Sequence, residues 1–148
     1  MSLFTAISIS ASGMNAQRVR AELITENLAN ADTTRTPDGG PYRRKDAIFS
    51  TAPLEGSFGS FAEAMSSASL GSDPGVSVSQ VTVDETDPEK RYLPGHPDAD
   101  ADGYVAFPHI NPAEEMVDLI SASRSFQANV AAIGAVKDMI ARSIDLLR

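Results

Sequence analysis

The stretch PAEEMVDLISASRSFQANVAAIGAVKDMIARSIDLLR, Pro112–Arg148, decides the fold because its apolar residues repeat every seven positions. The repeat consists of Leu119, Phe126, Ile133, Ile140 and Leu147, and a second row stands three residues earlier at Met116, Ser123, Val130, Lys137 and Ile144. Such a stripe is typical of a helix that packs against another helix. Asn111 and Pro112 predict where this helix begins, since Asn favours the N-cap and Pro the first helical position. Glu114 stands where the acidic residue of a capping box is found.

The start of the chain carries a second stripe with the same period. Its members are Ile7, Met14, Ala21 and Leu28. The predicted N-terminal helix covers about residues 2–30, and all nine prolines lie between Pro37 and Pro112. Gly13 and Gly134 interrupt the two helices, and each costs about 1 kcal/mol relative to Ala. Each is either a tolerated imperfection or a point of close approach between helices.

These two helices predict a mainly α protein in which the N- and C-terminal helices form a coiled coil around a small, irregular, β-containing middle domain. The predicted division is an N-terminal helix over 1–32, a middle domain over 33–111 and a C-terminal helix over 112–148. Within the middle domain, residues 53–75 are rich in Ser, Gly and Ala. This low-complexity segment is either a mobile loop or carries one short helix that begins at Ser60.

Short strands are predicted in the rest of the middle domain. Residues 43–51 alternate weakly between polar and apolar side chains. Valines at 76, 78, 81 and 83 form a β-rich run whose alternation slips at Gln80, which predicts a β-bulge. Residues 104–107 are a candidate partner strand.

The charge distribution excludes some classes of partner. The net charge is −8, and residues 37–112 carry five basic and twelve acidic side chains. Nucleic acids and anionic lipids require basic patches, so neither is expected as a partner. The chain has no cysteine, which excludes disulfides, cysteine nucleophiles and thiolate metal sites.

The first seventeen residues contain no charged side chain. A secretory signal peptide needs a basic n-region and a continuous apolar segment, and this stretch has neither. It is also too polar to span a bilayer. We therefore expect no cleaved signal peptide and no direct insertion into a membrane.

Candidate metal sites are weak. Asp98, Asp100, Asp102 and Gly103 match the first half of an EF-hand calcium loop, but the twelfth position is His109 where a bidentate Glu is required. An acidic surface turn is the favoured interpretation. His96 and His109 flank this turn beside prolines, which favours ordinary loop residues over metal ligands.

The sequence evidence for a catalytic site is weaker than that for a metal site. No G-x-S-x-G elbow is present, and Glu114 and Glu115 are adjacent on the predicted helix, so they point in different directions. The chain is predicted not to be an enzyme and to need no cofactor. The basic residues 43–45 are either a solvated strand edge or a contact to an acidic neighbouring subunit.

Two stretches of the chain resemble a known family. SGMNAQRVRAELITENLANADTTRT (Ser12–Thr36), with Asn27, Leu28, Ala29 and Asn30 followed by Thr33, resembles the N-terminal signature of flagellar rod and hook proteins. GHPDADADGYVAFPHINPAEEMVDLISASRSFQANVAAIGAVK (Gly95–Lys137) and GGPYRRKDAIF (Gly39–Phe49) resemble the proximal rod members of that family. Residues 54–75 depart from the family pattern, since they are longer and richer in Ser and Gly.

The resemblance implies a structural subunit of the proximal rod in the flagellar basal body. Such subunits assemble helically into the drive shaft that transmits motor torque to the hook and filament. The implied partners are other proximal and distal rod proteins, a basal adaptor and the MS-ring proteins. The implied export route is the flagellar type III apparatus, without signal cleavage, to the periplasmic rod.

The expected assembly interface combines both helical stripes. Its members are Ile7, Met14, Ala21, Leu28, Met116, Leu119, Phe126, Val130, Ile133, Ile140, Ile144 and Leu147. Two other hypotheses remain at this point: a calcium- or partner-binding coiled-coil adaptor, and a hydrolase that uses a serine and a histidine.

Overall fold

The computed structural model describes residues 3–37, 39–53 and 74–145. Its elements are α1 (Leu3–Ala29), β1 (Lys45–Pro53), β2 (Pro74–Val83), β3 (Glu89–Tyr92), β4 (Tyr104–Phe107) and α2 (Pro112–Asp145). A long helix near each end and short strands between them confirm the expected mainly α fold. The finer expectation of a coiled coil stays a prediction. The predicted short helix at Ser60, most of segment 53–75 and Leu147 lie outside the described residues.

The end of α1 is fixed by the polar residues that follow it. Asn30 Nδ2 donates to the Glu26 carbonyl at 2.9 Å, and Thr33 Oγ1 donates to Asn30 Oδ1 at 3.1 Å. The Thr33 N–H also donates to the Asn30 carbonyl at 3.0 Å. The Asn30 amide and the Thr33 N–H thus bond to carbonyls at the helix end, and the Thr33 hydroxyl joins the two side chains, so α1 ends close to its predicted limit.

The start of α2 is capped at the predicted residue. Asn111 Oδ1 accepts from the Ala113 N–H at 3.1 Å, and Asn111 Nδ2 donates to Glu114 Oε1 at 3.1 Å. Glu114 therefore reaches back to the side chain of the N-cap, whereas a capping-box glutamate bonds the backbone N–H of the cap. The amide of Asn111 makes this variant possible because it offers a donor as well as an acceptor.

The partner predicted for residues 104–107 needs correction. β4 pairs in antiparallel fashion with β3, with Glu89 opposite Phe107 and Tyr92 opposite Tyr104, while the valine-rich β2 pairs with β1. β3 has no alternating pattern from which it could be predicted, because all four of its residues are exposed. Side-chain contacts support the pair: the Arg91 guanidinium lies 4.8 Å from the Phe107 ring centroid. The described contacts do not define the pairing of Gln80, so the bulge stays a prediction.

The described residues form two compact units. The first comprises residues 3–18, 49–53, 74–79 and 124–145. There α1 and α2 approach closely, since a Cβ on Gly13 would lie 3.1 Å from Asn129 Nδ2. Gly13 thus marks a close approach, whereas Gly134 has nothing within 4 Å among the described residues. The buried residues of this unit include Ala16 and Val136.

The second unit comprises residues 19–48 and 80–123, except Asp38. Its apolar core includes Ile24, Tyr42, Val105 and Ala122. The division predicted from sequence, 1–32, 33–111 and 112–148, stays a prediction, because the units follow contacts and each draws on both helices. No helix in the described ranges combines the length and the hydropathy that a bilayer crossing demands.

Candidate functional site

Asn27 is fully buried in the second unit and uses its whole hydrogen-bonding capacity. Its Oδ1 accepts from the Tyr42 hydroxyl at 3.0 Å and from the Lys45 N–H at 2.9 Å. Its Nδ2 donates to the Lys45 carbonyl at 2.8 Å and to Glu115 Oε2 at 3.3 Å. One amide thereby joins the end of α1, the start of β1 and the start of α2. We call Asn27, Tyr42, Arg44, Lys45 and Glu115 the polar junction.

Glu115 is the buried charge of the polar junction. Its Oε1 accepts from Arg44 Nε at 2.6 Å. Arg44 Nη2 also lies 3.8 Å from Asp118 Oδ2, and Arg20 Nη2 of α1 lies 3.4 Å from Asp118 Oδ1. A buried carboxylate is tolerated only when it is paired and hydrogen-bonded, and both conditions hold here.

The basic residues 43–45 divide between two roles. Arg44 pairs with Glu115, and Lys45 Nζ pairs with the Glu26 carboxylate. Arg43 is exposed, and its guanidinium donates to the Asp84 carbonyl at 3.3 Å. Within this basic triplet, only Arg43 forms no ion pair to a described residue. Of these three residues, Arg43 is therefore the one that remains a candidate for contact with a neighbouring subunit.

The environment of the junction raises the pKa of Tyr42 to about 12. Burial of the ring is the main cause, and the negative charge of Glu26 is the next. Burial disfavours the charged phenolate because it would be poorly hydrated, and Glu26 disfavours it because two negative charges would repel each other.

The alkaline stability of the chain tests this environment. The folded-state pKa lies above the usual value of 10, so the stabilisation is complete below pH 10 and is lost as the pH rises towards 12. We expect the urea-unfolding free energy of Tyr42→Phe to fall less over this range than that of the parent chain. Tyr92→Phe, at an exposed position, should keep the parental slope. Parallel slopes for Tyr42→Phe and the parent would contradict the assignment.

The acidic turn is tied to the loop after α1. Thr34 Oγ1 donates to Asp98 Oδ2 at 2.8 Å, and Arg35 Nη1 lies 3.4 Å from Asp98 Oδ1. The Asp98 N–H donates to His96 Nδ1 at 3.1 Å. Within the described ranges, no grouping of three or more His, Asp and Glu side chains could hold a metal ion. Asp98 thus acts as a structural acceptor, and Gly103 supports the turn with a φ of +79°.

The residues predicted for the assembly interface differ in exposure. On α1, Ile7, Met14, Ala21 and Leu28 are half-buried, as are Leu119, Ile133 and Ile140 on α2. Exposed on α2 are Met116, Phe126, Val130 and Ile144. The family-motif residues Asn27, Leu28, Ala29, Asn30 and Thr33 lie at the end of α1, where Asn27, Asn30 and Thr33 make the hydrogen bonds described above.

The side of α2 that is buried within the chain lies four residues before the first predicted row and one residue before the second. Glu115, Ala122 and Val136 are buried and Asn129 is half-buried, and these four also repeat every seven residues. They precede the row of Met116, Ser123, Val130 and Lys137 by one position, which is about 100° around a helix. α2 therefore has a second, exposed apolar side, which we call the outer face of α2. Its members include Met116, Val117, Ile120, Phe126, Val130 and Ile144.

Comparisons with known proteins point to a single family. Residues 7–35 match the family described as flagella basal body rod protein, and residues 101–146 match the family described as flagellar basal body rod FlgEFG protein C-terminal. The flagellar basal-body rod protein FlgC of Bacillus subtilis is 41% identical over 99% of both chains. Its namesake in Borreliella burgdorferi is 39% identical over 100% of this chain and 99% of the relative. The FlgC of Salmonella typhimurium is 37% identical over 99% of this chain and 98% of the relative.

Proposed function

The chain belongs to the FlgC family of flagellar basal-body rod proteins, and on that premise we propose that the outer face of α2 packs against neighbouring rod subunits. The protein is a structural subunit of the rod in the flagellar basal body. Its relatives are rod proteins and not enzymes, in agreement with the absence of a catalytic motif from the sequence.

The outer face of α2 carries this proposal. A helix that is apolar on two sides requires cover on both, and the described part of the chain covers only the side that contains Ala122 and Val136. Exposed apolar surface of this kind marks an interaction site. The mostly uncharged stripe would allow copies or relatives to pack without strong repulsion.

The finer parts of the role are proposed from the family resemblance. The subunit joins other proximal and distal rod proteins, the basal adaptor and the MS ring in a head-to-tail interface that does not close and therefore generates a helix. The resulting shaft transmits torque from the motor to the hook through many shared contacts. The flagellar type III apparatus exports the chain without signal cleavage to the periplasmic rod.

Phe126→Asp tests the packing of α2. Phe126 is partly exposed, so a charge there should be tolerated by the free chain but not by an apolar contact with a neighbour. We expect cells that carry this variant at ordinary abundance to lose swimming and to yield basal bodies without a complete rod. Asn15→Asp, an exposed position on α1, is the matched control and should swim normally. Normal swimming of the Phe126→Asp cells would contradict the proposal.

A further inference from the structure

The first part of α2, residues 112–123, presents an apolar and acidic surface. Val117 and Ile120 are 67% and 54% exposed, and Glu114 lies beside them on a shallow depression that Ala113 and Val117 also line. Glu114 also borders a polar cleft of about 570 Å³, together with Asp84. Neither of these two carboxylates forms an ion pair to a described residue. We call Ala113, Glu114, Val117 and Ile120 the receiving surface.

The second part of α2, residues 124–145, presents an apolar and basic surface. Val130, Gly134, Lys137, Ala141 and Ile144 follow one another at helical spacings of three and four, so they share one side of the helix. Val130 is 48% exposed and Ile144 58% exposed, and Gly134 has open space around it. Lys137 makes no ion pair with any described residue. We call these five residues the inserting surface.

We propose that the receiving surface of one copy binds the inserting surface of the α2 helix of a second copy, with Lys137 of the inserting helix near Glu114. The inference rests on the proposed function and adds the identity of the neighbour and the residues that meet. Two features of the chain favour this occupant. Both surfaces are exposed and apolar, and each carries an unpaired charge of opposite sign.

The proposed contact joins two different surfaces, and this difference determines how copies assemble. The two surfaces differ, so a copy that receives one neighbour still offers its inserting surface to another. Such a heterologous contact propagates from copy to copy, whereas two identical surfaces would stop at a dimer. Gly134 also gains an explanation that the single chain does not supply, because a residue without Cβ lets a second backbone approach closely.

The absence of cysteine makes cross-linking a direct test. Val117→Cys and Val130→Cys would be combined in one chain and produced in cells, and purified basal bodies would be treated with a short bis-maleimide. We expect a ladder of dimers, trimers and larger products that contain only this chain. Each single-cysteine variant should remain monomeric, and Val117→Cys combined with Asn15→Cys is the matched control without a ladder.

Several results would overturn the inference. These are dimers from either single-cysteine variant, cross-links only to a different rod protein, and no cross-link in basal bodies that contain the chain. Basal bodies that form normally without the chain would contradict the proposed function instead.

A charge exchange gives a second measurement that does not depend on cysteine placement. In the chain without cysteine, Lys137→Glu should impair swimming, and addition of Glu114→Lys to the same chain should restore it. A double variant as defective as Lys137→Glu alone would overturn the inference, even where the cysteine variants fail to assemble.

Discussion

Replacement of Asn27 by Ala is expected to lower the free energy of unfolding by roughly 2–5 kcal/mol, because an unsatisfied buried polar group costs about 1–3 kcal/mol and this substitution creates several. The Tyr42 hydroxyl and the Lys45 N–H lose their acceptor, and the Lys45 carbonyl and Glu115 lose a donor. No water reaches the vacated position easily, since the residue is completely buried. The end of α1 would then be held to β1 and α2 by fewer bonds.

Urea unfolding of the purified full-length chain, followed by circular dichroism, measures this effect. Asn15→Ala is the matched control, because that asparagine lies on the same helix and is exposed, and among the described residues its side chain bonds only to Arg18, at 3.3 Å. The control should change stability by no more than about 0.5 kcal/mol. Equal urea midpoints for Asn27→Ala and Asn15→Ala would show that the polar junction contributes little to the free energy of unfolding.

The role of Asn27 could not be predicted from periodicity. The family resemblance singled out the residue, but a pattern of apolar positions counts a buried asparagine and a buried glutamate as surface residues. Its partners come from Tyr42, Lys45 and Glu115, the last of which is 88 positions away in the chain. Hydrogen bonds between residues so far apart in sequence form only in the tertiary fold, so no local sequence pattern predicts them.

Local chemistry, by contrast, predicted the helix ends well. Asn111 caps α2 through bonds to residues two and three positions away, and α1 ends where Asn30 and Thr33 close its last turn. These contacts join residues that are close in sequence, so residue type and spacing are enough to predict them. β3 could not be predicted in this way. It pairs with β4, which lies more than ten residues further along the chain, and its own side chains are exposed.

The row of α2 that is buried within the chain could not be identified from the apolar repeat, for the same physical reason. Both apolar rows of α2 were expected to form an interface within or between subunits. In the structure Glu115 and Asn129 occupy the buried or half-buried side, while Val130 and Ile144 of the second row are exposed. Polar side chains on that buried side can form specific bonds, and the exposed apolar side remains available to other chains. Sequence pattern alone does not separate these two uses of an apolar row.

Substitution of Glu115 by Ala is the second large effect that we expect. Removal of one partner from a fully buried ion pair costs about 3–5 kcal/mol, because the other charge is left uncompensated. Since the Arg44 side chain is 27% exposed, we expect a loss at the lower end of that range. Arg44 would keep only its longer contacts to Asp46 at 3.5 Å and Asp118 at 3.8 Å. The neighbouring Glu114→Ala is the matched control for the stability of the single chain. That carboxylate is exposed and bonds the N-cap residue Asn111, so its loss should cost well below that of Glu115→Ala.

A double variant separates the loss of pairing from the loss of packing. If the cost of Glu115→Ala comes from the lost pairing of the Arg44 guanidinium, Glu115→Ala combined with Arg44→Met should be more stable than Glu115→Ala alone, because no half-buried cation then lacks its nearest partner. Urea unfolding of the four full-length chains, namely the parent, the two single variants and the double variant, gives the coupling free energy. A double variant as unstable as the two single losses added together would mean that Arg44 and Glu115 act independently, and the junction would then be held mainly by Asn27.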